Sequence, residues 1–358
     1  TAVNEPVVPQ VPLMRYNQKM LFNEDDGYVD ISGIGDVTGA FSWSIWINDI
    51  GNATQGYILG RSSGQDYLRL IGGRIQIRIA GSSDASFTPN GQYTHSNIRH
   101  IAVTRNSSNN LKLYVNGVEG TLYNGSNYVT GGVTNSGTSN IDYIGREIGV
   151  NNYRGLINEF SIFNTELTKT QVQELFNDGV ALDATTHSKF IDTTDLLGGS
   201  YDFTDTSQWN QVSNATRTSA TSITATSNNG YIRTLNSSFE NDTRLYKISI
   251  QGSVTTGNID LKSWGGQETY KTGITGTFNE TVYAFTSFGG LMIVLTANTA
   301  VATITSLKIE RQYLLGYWRN DGVTTWTDRS GVGNNGTVQG TPDSITIREG
   351  LNSNRDGL

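Results

Sequence analysis

The sequence predicts an all-β protein of two β-sandwiches, and three observations predict it. Apolar residues alternate with polar ones in run after run, as in Arg74-Ile75-Gln76-Ile77-Arg78-Ile79. Successive side chains of a strand point to opposite faces, so a period of two marks a sheet with one face in a core. The segments between such runs are crowded with Asn, Ser, Thr and with Gly, of which there are 41, the residues of tight turns. Charged residues are only 16% of the 358, and that length exceeds one ordinary sandwich.

Residues 1–19 read as an extended arm. Pro6, Pro9 and Pro12 are three of the chain's five prolines, and their spacing favours polyproline II. Such an arm is either a tether or a strap over a neighbouring subunit. From Met20 the period-2 pattern takes over. Phe41, Trp43, Ile45 and Ile47 share one face of a strand. Trp46 shares the other face with Ser42 and Ser44, which places it on a sheet surface, under a loop or at an interface. Ile101 and Val103, then Leu111, Leu113 and Val115, repeat the pattern. Asn116-Gly117 predicts a type I′ hairpin, because both central positions need positive φ. One helix interrupts the strands. Thr168 is its N-cap, Gln171 completes a capping box, Val172, Leu175 and Phe176 form its apolar stripe, and Gly179 is placed to end it.

Several pieces form an ordered set: Asp26-Gly27-Tyr28-Val29-Asp30-Ile31, Phe41 to Ile47, His100 to Arg105, Leu113 to Gly117, Tyr143-Ile144-Gly145-Arg146, Gly155 to Phe160, and Leu167-Thr168. In order and spacing the set resembles the laminin-G-like lectin family across residues 20–182. The resemblance implies a concanavalin A-like jelly roll of two curved sheets. It also implies carbohydrate or protein binding, with a calcium ion at a sheet rim in some members. Residues 183–200 read as a linker. Residues 201–312 resemble a jelly-roll carbohydrate-binding module, with Tyr201 to Trp209 as opening strand, Tyr246 to Ile250 as central strand and Ile304 to Glu310 as closing strand. Residues 313–358 resemble the opening of another laminin-G-like unit, or the recurrent tail of phage structural proteins. They are too few to enclose a core, so they are expected to pack on the preceding domains or on another chain, burying Trp318 and Trp326.

Composition excludes several functions. The net charge of −7 disfavours a nucleic-acid or anionic-membrane partner. With no cysteine there is no disulfide, zinc–thiolate site or cysteine nucleophile, and a large disulfide-free surface protein points to a bacterial or viral source. No run approaches the ~20 apolar residues of a membrane span; the longest, Leu291 to Leu295, is strand-sized. The N-terminus shows no basic start followed by an apolar stretch.

Three chemistries bear on a sandwich of this kind. Glycoside hydrolysis in this fold needs two carboxylates flanking the bond. No Glu-x-Asp-x-x-Glu spacing occurs, Glu159 stands alone beside Asn158, and His95, His100 and His187 lie in no nucleophile motif. The chain is therefore read as no enzyme. Calcium wants several oxygens. Asp25 and Asp26 precede the Tyr28 strand, and the resemblance places Asn158 where related domains carry Asp. No cofactor is required, and Ca2+ at Asp25, Asp26 and Asn158 is weighed against a plain turn. Sugar binding uses flat aromatic faces with amides nearby. Trp264, Gln267 and Tyr270, beside Gly265 and Gly266, have that mixture, against the alternative of a Trp packed under its own loop. Trp209 is read as core.

Together these readings and resemblances imply a non-enzymatic virion surface structural protein, a phage head-decoration or tail-fibre component adhering to host or environmental polysaccharide. Its partners would be capsid or tail proteins and copies of itself, with no nucleic acid and no membrane insertion. The alternatives are a bacterial extracellular carbohydrate-binding protein or adhesin, and third a glycoside hydrolase.

Overall fold

The computed structural model describes residues 18–346, apart from 24–25, 51–54, 73, 81–84, 89–97, 124–127, 130–131, 149–151, 198–200, 210, 235–243, 264–265, 267 and 287–289. The arm expected over residues 1–19 lies almost wholly outside the described residues, and a strand has already begun at Gln18. The chain divides into two units, Thr1–Phe190 together with Leu314–Leu358, and Ile191–Tyr313.

The first unit is a sandwich of two antiparallel sheets. One runs, in spatial order, Val118–Glu119, Asn110–Val115, Ile98–Arg105, Phe41–Asp49, Arg154–Phe163, Gln18–Asn23 and Asp343–Thr346, with Leu314–Trp318 also on Arg154–Phe163. The other runs Tyr128–Val129, Thr121–Tyr123, Ala85–Thr88, Arg74–Arg78, Tyr67–Ile71, Gln55–Gly60, Tyr143–Ile144, Tyr28–Asp30, Gly336–Gln339 and Thr325–Trp326. The alternation read from sequence sets the core: Phe41, Trp43, Ile45, Ile47, Ile75, Ile77 and Ile79 are all buried. Asn116 (φ 50°) and Gly117 (φ 73°) make the expected hairpin turn.

The other face of the Phe41–Asp49 sheet is covered too. The helix Lys169–Phe176 starts on the expected capping box, Gln171 N–H donating to Thr168 Oγ1 at 3.3 Å and Thr168 N–H to Gln171 Oε1 at 2.9 Å. Its Phe176 stacks on Trp46 at 5.9 Å, and His100 lies between serine and rings, 2.8 Å from Ser44 Oγ. That settles Trp46 as a residue under a helix. Burial alone pushes the His100 imidazole down to about 3, so it is a neutral packing residue. The helix ends earlier than expected. Asn177 takes the left-handed conformation at φ 44° and caps it, two residues before Gly179; Asn adopts that conformation at little cost.

The C-terminal segment is built into the sheets of the first unit. It packs within the preceding domain, as strands of its sheets rather than as the opening of a second laminin-G-like unit. It adds Leu314–Trp318 and Asp343–Thr346 to one sheet and Thr325–Trp326 and Gly336–Gln339 to the other, and it places Trp318 and Trp326 fully inside the core. The physical reason lies in Arg154–Phe163. On one side it pairs with Phe41–Asp49. On the other, Gln18–Asn23 reaches only Gly155 and Arg154, and Leu314–Trp318 only Phe160 to Phe163. Asn320 fills the gap. Its side-chain amide donates to Met20 O (2.9 Å) and Ile157 O (3.1 Å), its Oδ1 accepts from Met20 N (2.8 Å), and its backbone N–H donates to Asn158 Oδ1 (2.6 Å). At the same level Glu159 takes φ 49° where the register shifts, the extra residue of a β-bulge. Its buried carboxylate accepts from the Tyr317 hydroxyl and from Arg319 Nε, and Arg319 Nη2 reaches Asp183 at 2.9 Å.

The second unit is built on two long strands, Arg244–Ser263 and Thr269–Thr286. The first changes partner along its length. Residues 245–254 pair with Val301–Gln312 and residues 259–263 with Leu291–Leu295. A bend at that change, with Gly257 at φ 71°, lets one ladder wrap a core holding Phe203, Trp209, Ile232, Ile248, Leu261, Ile293 and Ile304. Trp209 is core as read. The boundary between the two units, at Phe190 and Ile191, falls within the linker read over 183–200. Residues 184–186 form a 3-10 turn in the first unit, and Ile191–Asp192 already pairs with Gln312 and Arg311 in the second.

The second unit is thus an insertion into the first. The first unit's two ends at the insertion point, Phe190 and Leu314, are joined by a hydrogen bond of 3.3 Å. Replacing residues 191–313 by a short Gly-Ser linker should leave a folded first unit with a single cooperative unfolding transition, whereas removing residues 314–358 should abolish it. Calorimetry of both variants decides. Asn320→Asp keeps the shape but loses two donors to buried carbonyls, so it should cost about 3 kcal/mol in urea denaturation, from the 1–3 kcal/mol of each unsatisfied buried group.

Candidate functional site

Two members of the calcium set lie among the described residues, Asp26 and Asn158. Asp25 lies outside the described residues. Asp26 is exposed, and hydrogen bonds from the backbone N–H and hydroxyl of Thr341 hold its carboxyl below the usual range. Asn158 is buried and spends its carbonyl oxygen on Asn320. A hard cation needs several free oxygens, and among the described residues no group of three acids or histidines could hold a metal. By themselves, the two described residues do not supply the oxygens the ion needs. Of the sugar-binding candidates, Trp264 and Gln267 lie outside the described residues. Tyr270 packs against the second core with its hydroxyl shut away from solvent, and that burial pushes the hydroxyl up. His95 also lies outside the described residues, and His187 is a packing residue against Phe163. Glu159 is not alone, as the sequence suggested, since Asp183 shares Arg319 with it. Burial raises the Glu159 carboxyl, yet both acids are engaged by Arg319. They clamp Leu314–Trp318 and the strand's continuation to Arg154–Phe163.

A different set of polar and aromatic residues gathers on the ten-stranded sheet, on the face turned away from the core. Leu68, Leu70, Ile75 and Ile77 point inward and are buried, so Tyr67, Arg69, Arg74, Gln76 and Arg78 point the other way. Register lines them up, Arg69 opposite both Tyr57 and Gln76, and Tyr67 opposite Arg78. Arg69 is the centre. It donates from Nε to Gln76 Oε1 (2.9 Å) and from Nη1 to Gln55 Oε1 (3.2 Å) and the Tyr57 hydroxyl (2.6 Å). Its guanidinium lies 4.6 Å from the Tyr67 ring centre and 5.3 Å from that of Tyr57. The two rings meet edge to face at 5.4 Å, the favoured aromatic geometry.

The neighbouring strands extend the face. Tyr143 lies opposite Gly60 and Asp30, and its ring meets Tyr28 edge-on at 5.0 Å. Arg146 covers the Tyr28 ring at 4.4 Å. The chain at Arg146 and Glu147 crosses directly over Gly60, where any Cβ would collide with the Arg146 carbonyl. That crossing brings Glu147 to the Tyr57 hydroxyl, and burial raises its carboxyl while Tyr57, Arg69 and Arg78 pull it back. Sequence reasoning read these strands for their apolar face alone. The signal it passed over was the other half of the alternation, Arg74-x-Gln76-x-Arg78 beside Tyr67-x-Arg69.

Residues 23–173 match the family described as the concanavalin A-like lectin/glucanases superfamily, which agrees with the all-β sandwich observed. No curated protein matches the chain by sequence. Among solved structures it is similar to the native heptameric SAP-like pentraxin of Limulus polyphemus, at 12% identity over 45% of this chain and 82% of that one, with a TM-score of 0.35. Domain 4 of an extracellular arabinanase from Geobacillus stearothermophilus, in complex with arabinotriose, matches at 19% identity over 43% of this chain and 74% of its own, with a TM-score of 0.33. The carbohydrate-binding module of a Ruminococcus gnavus sialidase, bound to sialyllactose, matches at 13% identity over 45% and 98%, again with a TM-score of 0.33. Scores of this size say nothing about a ligand.

Melting the protein with and without chelator tests for calcium. A metal bound by the native state alone raises stability by mass action, so the transition should stay where it is.

Proposed function

We propose that the protein is a non-enzymatic carbohydrate-binding structural protein of an extracellular surface, and that the ten-stranded sheet of its first unit carries the site. The observation that supports this most is the Tyr57–Tyr67–Arg69–Gln76 constellation. Donors and acceptors held by one another on rigid strands are what a polyhydroxylated ligand needs, since preorganised groups lose little entropy on binding. The lectin-type family match over residues 23–173 agrees with that use. A non-enzymatic reading is supported by Glu159 and Asp183, whose oxygens serve Arg319 and Tyr317 rather than an open cleft. Among the described residues no helix is long and apolar enough to cross a membrane.

The finer reading sets this protein on a virion surface, as a phage head-decoration or tail-fibre component beside capsid or tail proteins and further copies of itself. A cysteine-free chain with low charge and a large sandwich core supports it. The copy number of the chain in purified particles, counted by mass spectrometry, tests it; absence from particles would leave a bacterial extracellular lectin or adhesin.

The site is tested by titrating polysaccharides against variants. Arg69→Ala unties Gln55, Tyr57 and Gln76 together, so binding should weaken about 10-fold or more, the size of losing roughly 1.4 kcal/mol. Trp264→Ala, which reports on the loop read from sequence as a sugar contact, should leave affinity unchanged. The reverse pattern would move the site to the second unit.

A further inference from the structure

A neutral sugar ring is commonly held by stacking on an exposed aromatic plane, and the described rings around Arg69 are covered. Tyr57 is 5% exposed and Tyr67 2%, because Arg69 lies over both rings. Tyr28 is likewise covered by Arg146. A ligand approaching the sheet at Arg69 therefore meets guanidinium groups and side-chain amides in front of the rings of Tyr57 and Tyr67. Guanidinium groups have only donors, in a fork that fits carboxylate.

Charge agrees with this. The chain carries −7 overall, yet Arg69, Arg74, Arg78 and Arg146 lie on or beside this face, with Glu147 near Arg69 and Arg78, and Asp26 and Asp30 on the Arg146 side. Arg74 is exposed, and neither it nor Arg146 forms a salt bridge among the described residues. Arg74, Gln76 and Arg78 stand on one face of one strand. At ~3.3 Å per residue, the two arginines are about 13 Å apart along it, the reach of an extended ligand rather than a single small ion.

We infer that the sheet face takes a carboxylate-bearing polysaccharide, a polyuronate-type acidic glycan running along the Arg74–Gln76–Arg78 row and crossing Arg69. This rests on the carbohydrate-binding reading and narrows it to anionic chains. Arg69 is locked by two rings and three hydrogen bonds, so it contributes a fixed positive charge. Arg74 and Arg146 supply outlying cations that pair with successive carboxylates.

Polygalacturonate and its fully methyl-esterified form, which share a backbone and differ in charge, make the test. The intact protein should bind the acid at least about 10-fold more tightly than the ester, with a preference that fades in high salt as exposed charges are screened. Arg74→Gln, an exposed substitution that leaves the fold intact, should weaken the acid about 3-fold or more and leave the ester unchanged. Equal affinity for acid and ester would overturn the anionic assignment and keep the carbohydrate reading. No binding to either, nor to alginate or hyaluronate, with retained binding to neutral glucans would do the same, and no binding to any glycan would remove both. Tighter binding to duplex DNA than to polygalacturonate would also overturn it, by making the face a general polyanion surface.

Discussion

A strand in the middle of a sheet must have its backbone N–H and C=O groups paired on both sides, since each buried group left unpaired costs about 1–3 kcal/mol. In the first unit that requirement falls on Arg154–Phe163, and Asn320 meets it where no strand does. Its amide takes the place of a peptide group between Met20 and Ile157, and its own backbone N–H uses the oxygen of Asn158. The same position joins chain residues some 300 apart in sequence. The beginning, middle and end of the first unit are thereby tied at one buried point, and Glu159, Tyr317, Arg319 and Asp183 extend the tie outward.

From this follows the arrangement of the whole chain. If the closing strands come from residues 314–346, everything between Phe190 and Leu314 is free to leave and return, provided its ends stay close. The hydrogen bond between those two residues and the pairing of Ile191 with Gln312 meet that condition. A second core of its own, around Trp209 and Ile248, lets the inserted unit fold without borrowing from its host.

Much of this was legible in the sequence because it depends on local periodicity. The alternating strands, the Asn116-Gly117 turn, the capping box at Thr168 and the lectin-like order of pieces are each set by neighbours within a few residues. What was not legible depends on partners far along the chain. Asn158 looked like a calcium ligand because only its position within the domain could be seen; its true partner is 162 residues away. The tail looked like the start of another unit because Trp318 and Trp326 carry no mark of which core they enter. The Arg69 constellation was hidden differently. Its residues are on the page at every second position, but cross-strand register, which makes neighbours of Tyr57, Arg69 and Gln76, is a property of the sheet.

The location of the candidate site follows from the same closure. A sandwich has two outward faces. In the first unit one of them is given up to packing: the helix Lys169–Phe176 buries Trp46 and His100, and the turn at residues 184–186 is followed by His187 against Phe163. The hydroxyls of Ser42 and Ser44 on it are spent internally. Among the described residues the ten-stranded sheet carries no α-helix. Its outward side chains are instead organised by one another, arginine over tyrosine and amide beside guanidinium. Such mutual ordering costs side-chain entropy, and covering the core-side strands would need only ordinary polar residues. That the ordered groups converge on a single guanidinium, with further arginines along the same row of an acidic chain, is the physical basis for reading this face as a site rather than as mere surface.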